Sequence, residues 1–270
     1  MSATAPNYGL AAQAVAVLMT ANASEKALAV RRMAADWRSG KLQWPGLKVE
    51  VPDRPARPIK PELLAPRAMK RRGPGSLAGR IALLHALAHI ELNAIDLACD
   101  LLARFTNDGD TPLPTAFADD WVKVADEEGK HFLMLEARLR ELDATYGDLP
   151  AHDGLWQAAE ATSHDFAVRL AIVPLVHEAR GLDVTPQTVS ALERAGDQKS
   201  AKVLQTIYDD EIGHVSAGVT WFADAAKRRN RDPKELFDAS VDAYHTGKLK
   251  GPFNEDARRE AGLAALFAGT

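Results

Sequence analysis

The spacing of the apolar residues is the feature that most restricts what this chain can fold into. Alanine, leucine and other apolar residues recur every three or four positions over most of the 270 residues, whereas alternating β-branched runs are nearly absent. That spacing places apolar side chains on one face of an α-helix. The sequence therefore predicts an all-α fold.

Residues that start and end helices divide this pattern into four long predicted helices within residues 77–229. Gly181 is predicted to end the third of them and Asp197 to cap the fourth. A short helix is predicted at 153–162, and another begins at Pro186. Four long amphipathic helices in one region predict a four-helix bundle. The long helices are predicted at residues 77–106, 115–145, 164–181 and 198–229.

Three segments flank the predicted bundle. Residues 1–44 form a predicted N-terminal helical segment in which Asn22 or Ser24 caps a second helix, and residues 230–270 form a predicted helical tail. The segment 45–76 differs, because seven of the chain's 15 prolines lie in it. Proline interrupts a helix and favours extended conformations, so this segment is predicted to be an extended arm.

This segment, the Pro-rich arm, is also basic. Its residues 48–72 carry eight lysines and arginines against three acidic residues. Proline lowers the entropy that an extended strap loses on packing, so we expect the arm to pack along the bundle and narrow the entrance to a site within it. A phosphate-binding tract for RNA is the alternative.

Composition restricts the class of protein further. A hydrophobic content of 46% is enough for a large core, and a net charge of −4 gives no global attraction to nucleic acid or anionic lipid. No positive region precedes the N-terminal apolar run, and no stretch approaches about 20 apolar residues, so we expect a cytoplasmic protein without membrane contact. Cys99 is the single cysteine, which leaves carboxylates and histidines as the available metal ligands.

Two of the long helices contain the same motif, Glu-x-x-His. The first copy is Glu128 with His131, and the second is Glu211 with His214. Three residues of an α-helix turn about 300° and rise about 4.5 Å, so both side chains project from one face and can reach the same ion. Either motif alone is weak evidence, because a single pair with this spacing can arise by chance, and two copies are suggestive only.

The other two long helices each carry one glutamate within an apolar stripe, Glu91 in the first and Glu178 in the third. A buried carboxylate is costly unless it is paired or bound to metal. Surface carboxylates and core ion pairs are the alternatives for each residue taken singly. Residues 146–163 are long enough for a crossover connection, which would make two helical hairpins face each other across a shared site.

The order Glu, Glu-x-x-His, Glu, Glu-x-x-His resembles the ferritin-like di-iron carboxylate superfamily over residues 77–229. The blocks HIELNAIDLACDLL, DEEGKHF and DDEIGHV also resemble an uncharacterised bacterial ferritin-like family whose domain is of unknown function. A more distant relative in fold is the tRNA-modifying non-haem di-iron monooxygenase. The resemblance implies a ferritin-like bundle with a crossover connection, and it implies no established reaction.

The resemblance also implies a set of metal ligands. Glu91 and Glu178 would be terminal carboxylates, and Glu128 and Glu211 would bridge two metal ions. The nitrogen ligands would be His131 and His214. Oxygen and imidazole donors suit two Fe ions, with Mn as the alternative.

Residues next to the proposed bridging glutamates would support this site. In related di-iron enzymes an acid at that position accepts the free N–H of the opposite hairpin's histidine, so Asp210 would orient His131 and Glu127 would orient His214. A surface acid is the alternative for both. Tyr208 lies three residues before Glu211 and would be either a redox-active phenol or an ordinary core residue.

Three functions are compatible with these patterns. We expect an oxidase or monooxygenase that activates O₂, receives electrons from a donor and oxidises a small organic substrate. The first alternative is a protein that oxidises and stores iron or buffers metal. The second is a scaffold or tRNA-modifying protein whose basic arm binds RNA, which the overall charge does not favour.

Overall fold

In a computed structural model, which describes residues 9–65, 68, 73–246, 249 and 251–266, the chain is all-α apart from one small hairpin. The hairpin pairs β1 (Asn107–Asp108) with β2 (Thr111–Pro112) in antiparallel fashion. The predicted all-α fold is therefore confirmed. The helices are α1 Leu10–Leu18, α2 Ala23–Arg38, α3 Leu77–Arg104, α4 Thr115–Arg140, α5 Gly154–Ala161, α6 Phe166–Ile172, α7 Ala179–Arg194, α8 Gln198–Arg228, α9 Pro233–Tyr244, α10 Glu255–Glu260 and α11 Leu263–Leu266, with a π-helical segment, Val173–Glu178, between α6 and α7.

The predicted end of the third long helix at Gly181 is wrong, because α7 continues through Gly181 and contains Pro186. Proline has no N–H to donate to the carbonyl four residues before it. Here that carbonyl, of Leu182, accepts a hydrogen bond from Nδ2 of Asn254 at 3.1 Å. A residue from the C-terminal tail therefore satisfies the acceptor that Pro186 leaves unpaired, and the helix persists.

The contacts between helices establish their directions. Asp210 of α8 contacts His131 of α4, and Trp221 of α8 contacts Asp120 of α4, so the two helices are antiparallel. The segment from α6 to α7 meets α8 through a tight turn and therefore runs parallel to α4. The connection at 141–165 must travel back along the helices, as expected of a crossover.

The described part of the Pro-rich arm packs across α3 and α5. Nη2 of Arg57 donates to Oδ1 of Asn93 at 2.7 Å, and the indole N–H of Trp156 donates to the carbonyl of Asp53 at 3.2 Å. Asn93 lies about 200° around α3 from Glu91, because each residue turns about 100°. The arm therefore packs on the helices as expected, but its described part lies on the far side of α3 and does not narrow an entrance at Glu91.

Four basic residues of the arm lie outside the described residues, so binding of RNA by the arm stays a prediction. Those residues are Arg67, Lys70, Arg71 and Arg72.

A buried lysine joins the N-terminal helices to the rest of the fold. Lys26 of α2 is fully buried, and its ammonium contacts the carboxylate of Asp96 on α3. The same ammonium donates to the carbonyls of Leu18 at 3.2 Å and Ala56 at 3.0 Å. A second cation, Arg57, lies 3.1 Å from the other Asp96 oxygen. This cluster fixes α2, the arm and α3 to one another.

Helix α3 also bears on the expectation about membranes. By length and composition it is apolar enough to cross a bilayer, which the expectation from the sequence did not anticipate. However, 67% of its most apolar window is buried inside the fold, as in a core helix.

Candidate metal centre

Carboxylates from three helices converge on a histidine in the interior. Ligand atoms of Glu91 on α3, Glu128 and His131 on α4, and Glu211 on α8 all lie within 4.8 Å of one another. Glu91 is 3% exposed, and Glu128 and His131 are fully buried. The sequence predicted each of these residues, and the fold brings them together at a group that can hold a metal ion.

One ring nitrogen of His131 faces the glutamates of this cluster. Its Nδ1 lies 3.2 Å from Oε2 of Glu91 and 3.5 Å from Oε2 of Glu128. Both distances join atoms that could share one cation. We refer to Glu91, Glu128, Glu211 and His131 as the His131 half-site.

His214 of α8 lies beside two of the same glutamates, although neither His214 nor Glu178 belongs to the group of four whose ligand atoms lie within 4.8 Å of one another. Nδ1 of His214 lies 3.0 Å from Oε1 of Glu128 and 3.5 Å from Oε2 of Glu211. Glu178, the last residue of the π-helical segment, interacts electrostatically with both glutamates. We refer to Glu128, Glu178, Glu211 and His214 as the His214 half-site, which shares two carboxylates with the first.

The outer nitrogen of each histidine meets a carboxylate on the opposite helix. Nε2 of His131 donates to Oδ2 of Asp210 at 2.9 Å, and Nε2 of His214 donates to Oε2 of Glu127 at 3.0 Å. These are the two contacts that the resemblance implied. They leave Nδ1 of each ring directed at the glutamates and fix the ring orientation.

Several buried atoms of the cluster have no hydrogen-bond partner among the described residues. Such atoms are rare in folded proteins because an unsatisfied buried acceptor costs about 1–3 kcal/mol. They fit ligand atoms of a cation, because all of them are oxygen or imidazole-nitrogen donors. Nδ1 of His214 and Oε1 of Glu128 lie 3.0 Å apart but do not form a hydrogen bond. The atoms are Oε1 and Oε2 of Glu128, Oε2 of Glu178, Oε2 of Glu211 and Nδ1 of His214.

The carboxyl groups differ in protonation because they share a small dry volume. Burial and the nearby Glu128 charge raise the pKa of Glu91 well above its ordinary value. Burial and the charges of Glu211 and Glu128 raise the pKa of Glu178 to about 8. Burial would also raise the pKa of Glu128, but the two adjacent imidazoles hold it below its ordinary value.

The histidines show the opposite balance. Burial favours the neutral ring, yet the carboxylates around His131 and His214 hold both pKa values well above the ordinary one. The hydrogen bond from His131, together with Lys130, lowers the pKa of Asp210. Without metal, protons therefore supply the positive charge that these carboxylates require.

Two observations revise the sequence interpretation of neighbouring residues. The hydroxyl of Tyr208 accepts a hydrogen bond from Nδ2 of Asn254 at 3.0 Å, which directs it to the C-terminal tail; its redox role stays a prediction. Lys130, which sequence reasoning left out, contacts Oδ2 of Asp210 through its ammonium. The position of Lys130 immediately before His131 was the one available signal.

A small cavity of about 240 Å³ adjoins the His214 half-site between α4 and α8. Its lining includes His214, Glu127, Asp120, Lys123 and Thr220. Pockets for drug-sized ligands usually measure about 300–1,000 Å³ and are mostly apolar. This cavity therefore suits a small polar molecule or an ion.

The fold and the cluster define an all-α protein with a buried carboxylate–histidine group that can hold a metal ion. The chain belongs to the family described as "Protein of unknown function (DUF455)", whose model matches residues 19–268. A relative from Haemophilus influenzae, described as an uncharacterized protein, is 41% identical over 208 residues, which cover 76% of this chain and 72% of the relative. No solved structure matches the chain.

Proposed function

We propose that this chain is a ferritin-like di-metal carboxylate protein, di-iron by its donor set, and that it activates O₂ to oxidise a small substrate. The observation that carries the proposal is the pair of half-sites. Each has one imidazole nitrogen directed inward, and the half-sites share Glu128 and Glu211. A single structural ion would not require this duplication.

The residues of the chain would hold two ions in defined roles. His131 and His214 would be the nitrogen ligands, and Glu91, Glu128, Glu178 and Glu211 would be the carboxylate ligands. Two such ions would supply the electrons for the reaction with O₂, which no amino-acid side chain provides.

The protein's own contribution would be orientation and exclusion of water. Asp210 and Glu127 fix the two imidazole rings by hydrogen bonds to Nε2. Complete burial of Glu128 keeps solvent away from the centre of the cluster.

The polar lining of the cavity favours one alternative, a protein that oxidises and handles metal. Asp120 and Glu127 would attract cations entering the cavity beside His214. An oxidase and a metal-handling protein differ after the first reaction with O₂. The oxidase oxidises only the iron that its ligands bind and requires a reductant before each new cycle. The metal-handling protein continues to oxidise free Fe(II) from solution.

The experiment loads purified protein anaerobically with two Fe(II) per chain and then adds O₂. O₂ uptake that repeats only when a reductant is added supports the oxidase. Continuing uptake with excess Fe(II), and iron retained far beyond two ions per chain, supports metal handling. A protein that binds no iron and consumes no O₂ above the level of Glu128→Gln would contradict both.

A further inference from the structure

The two histidines differ in the surroundings of their outer carboxylates. Asp210 receives Nε2 of His131 and also contacts the ammonium of Lys130 through the same oxygen. Glu127 receives Nε2 of His214 and forms no other ion pair or hydrogen bond in the described part of the chain. One carboxylate is thus neutralised by a cation, and the other is not.

This difference bears on metal affinity. A carboxylate bonded to the outer N–H of an imidazole raises the basicity of the nitrogen that binds metal. A lysine that pairs with that carboxylate reduces the negative charge behind the imidazole, so the basicity of the metal-binding nitrogen rises less. The positive charge of the lysine also repels a cation bound at Nδ1. Side-chain exposures of 34% for Lys130 and 24% for Asp210 admit solvent screening, so the effect is moderate rather than decisive.

We propose that Lys130 makes the two half-sites unequal: the His214 half-site binds its ion first and tightly, and the His131 half-site holds a second ion that exchanges more readily. Lys130 is thereby a positioning residue that acts through Asp210. This inference rests on the proposed function and extends it, because it assigns an order of filling to the two ions.

The position of the cavity is consistent with this order. It is lined by His214 and Glu127, whereas neither His131 nor Asp210 lines it. The cavity therefore lies beside the half-site that is expected to bind its ion first. The order of filling itself depends on the affinities of the two half-sites.

The test measures Mn(II) binding to the full-length protein by the electron paramagnetic resonance signal of free Mn(II). Wild type is expected to bind one ion tightly and a second about tenfold more weakly. In Lys130→Met the weaker step should tighten about tenfold, so that the two steps merge. Lys130→Arg keeps the charge and should keep the separation.

Lys202→Met is the matched control. Lys202 is an exposed lysine of α8, eight residues before Asp210, and it does not line the cavity beside His214. Its removal deletes one positive charge from the same helix as Asp210 and should leave the two steps separate. His214→Ala should abolish the tight step, and His131→Ala the weak one.

Each remaining outcome overturns the inference. Three results would show that Lys130 does not weaken metal binding at the His131 half-site. They are two binding steps of equal affinity in wild type, an unchanged separation of the steps in Lys130→Met, and a weaker step whose affinity falls further in Lys130→Met. Wild type that binds neither Mn(II) nor Fe(II) would remove the proposed function as well, which distinguishes the two failures.

Discussion

Gly218 of α8 lies directly against Pro174 of the π-helical segment: a Cβ atom at position 218 would be 2.5 Å from Cβ of Pro174. Real Cβ atoms do not approach this closely, so the third and fourth long helices meet at their present separation only because residue 218 is glycine. Gly218 is one turn from His214, and Pro174 is four residues before Glu178. This contact therefore sets the distance between helices that supply the His214 half-site.

Gly218→Ala should lower the free energy of unfolding by about 1–3 kcal/mol, because the added methyl forces the packed helices apart. Gly213→Ala is the matched control on the same helix, since a Cβ there has no neighbour within 4 Å. Alanine at position 213 should stabilise the helix by about 0.5–1 kcal/mol. Urea unfolding of the metal-free proteins measures both changes, and equal effects would contradict the role of the contact.

Purified wild type should contain about two Fe or Mn ions per chain, since the proposed ligands form two half-sites. His131→Ala and His214→Ala should each lose at least one ion. His164→Gln, which alters an exposed histidine that bonds Tyr244, should retain the wild-type content. Metal analysis of the proteins purified side by side is the measurement, and equal metal in all of them would remove the proposed site.

Asp210→Ala should weaken binding of one metal ion about 10- to 100-fold without unfolding the protein, because the carboxylate orients His131 from a partly exposed position. Asp209→Ala is the control, since the neighbouring carboxylate bonds Gln205 and does not contact the cluster. Metal titration and circular dichroism give affinity and folding separately. An unchanged affinity would show that the hydrogen bond has no effect on the ligand.

Binding of metal should release protons near pH 7. His131 and His214 have raised pKa values, and Glu178 has a pKa of about 8, so these groups carry protons in the metal-free protein and must lose them to bind a cation. The release should decrease above pH 8, where Glu178 is already ionised. A pH indicator in weak buffer measures it, and metal binding without acidification would contradict the protonation described here.

The contribution of His89 to the stability of the metal-free protein should fall between pH 6.5 and 4. His89 is buried, with Nδ1 2.8 Å from the hydroxyl of Tyr146, and burial lowers its pKa to about 4 from 6.5. At this residue the unfolded chain therefore binds a proton that the folded chain rejects, and its contribution weakens as the pH falls. The loss from His89 alone should be about 2 kcal/mol between pH 7.5 and 5, and it appears as the difference in pH dependence between wild type and His89→Gln.

Substitution isolates this contribution. His89→Gln should be less stable at pH 7.5 but should show a smaller loss on acidification, which urea unfolding at both pH values measures. His164→Gln should show the wild-type loss. The same pH dependence in all three proteins would assign the effect to other groups.

The inner residues of the candidate site could be predicted from the sequence because they depend on local geometry. A Glu-x-x-His motif places both side chains on one helix face whatever the helix packs against. Glu91 and Glu178 could be found because each interrupts an apolar stripe. Local geometry does not predict the contacts of Asp210 with His131 and of Glu127 with His214. Those contacts could be predicted only from the resemblance to proteins in which antiparallel helices align these positions.

Other features depend on contacts between distant parts of the chain. Gly181 and Pro186 indicate a helix end by every local criterion, and Asn254, about 70 residues later, compensates for the proline. The face that the Pro-rich arm covers depends on Asn93 and Asp96, whose partners no periodicity identifies. Lys130 belongs to the same group, since its contact exists only once α4 and α8 pack together.

The buried contact between Lys26 and Asp96 has a consequence for how the chain is divided into parts. Residues 77–229 are predicted from the sequence as a bundle, yet removal of the N-terminal helices would take Lys26 away from Asp96 and leave Arg57 as its cation. Loss of one partner from a buried ion pair is destabilising. A protein that begins after α2 should therefore be less stable than one that includes α2, so a boundary for expression belongs before α2 and not before α3.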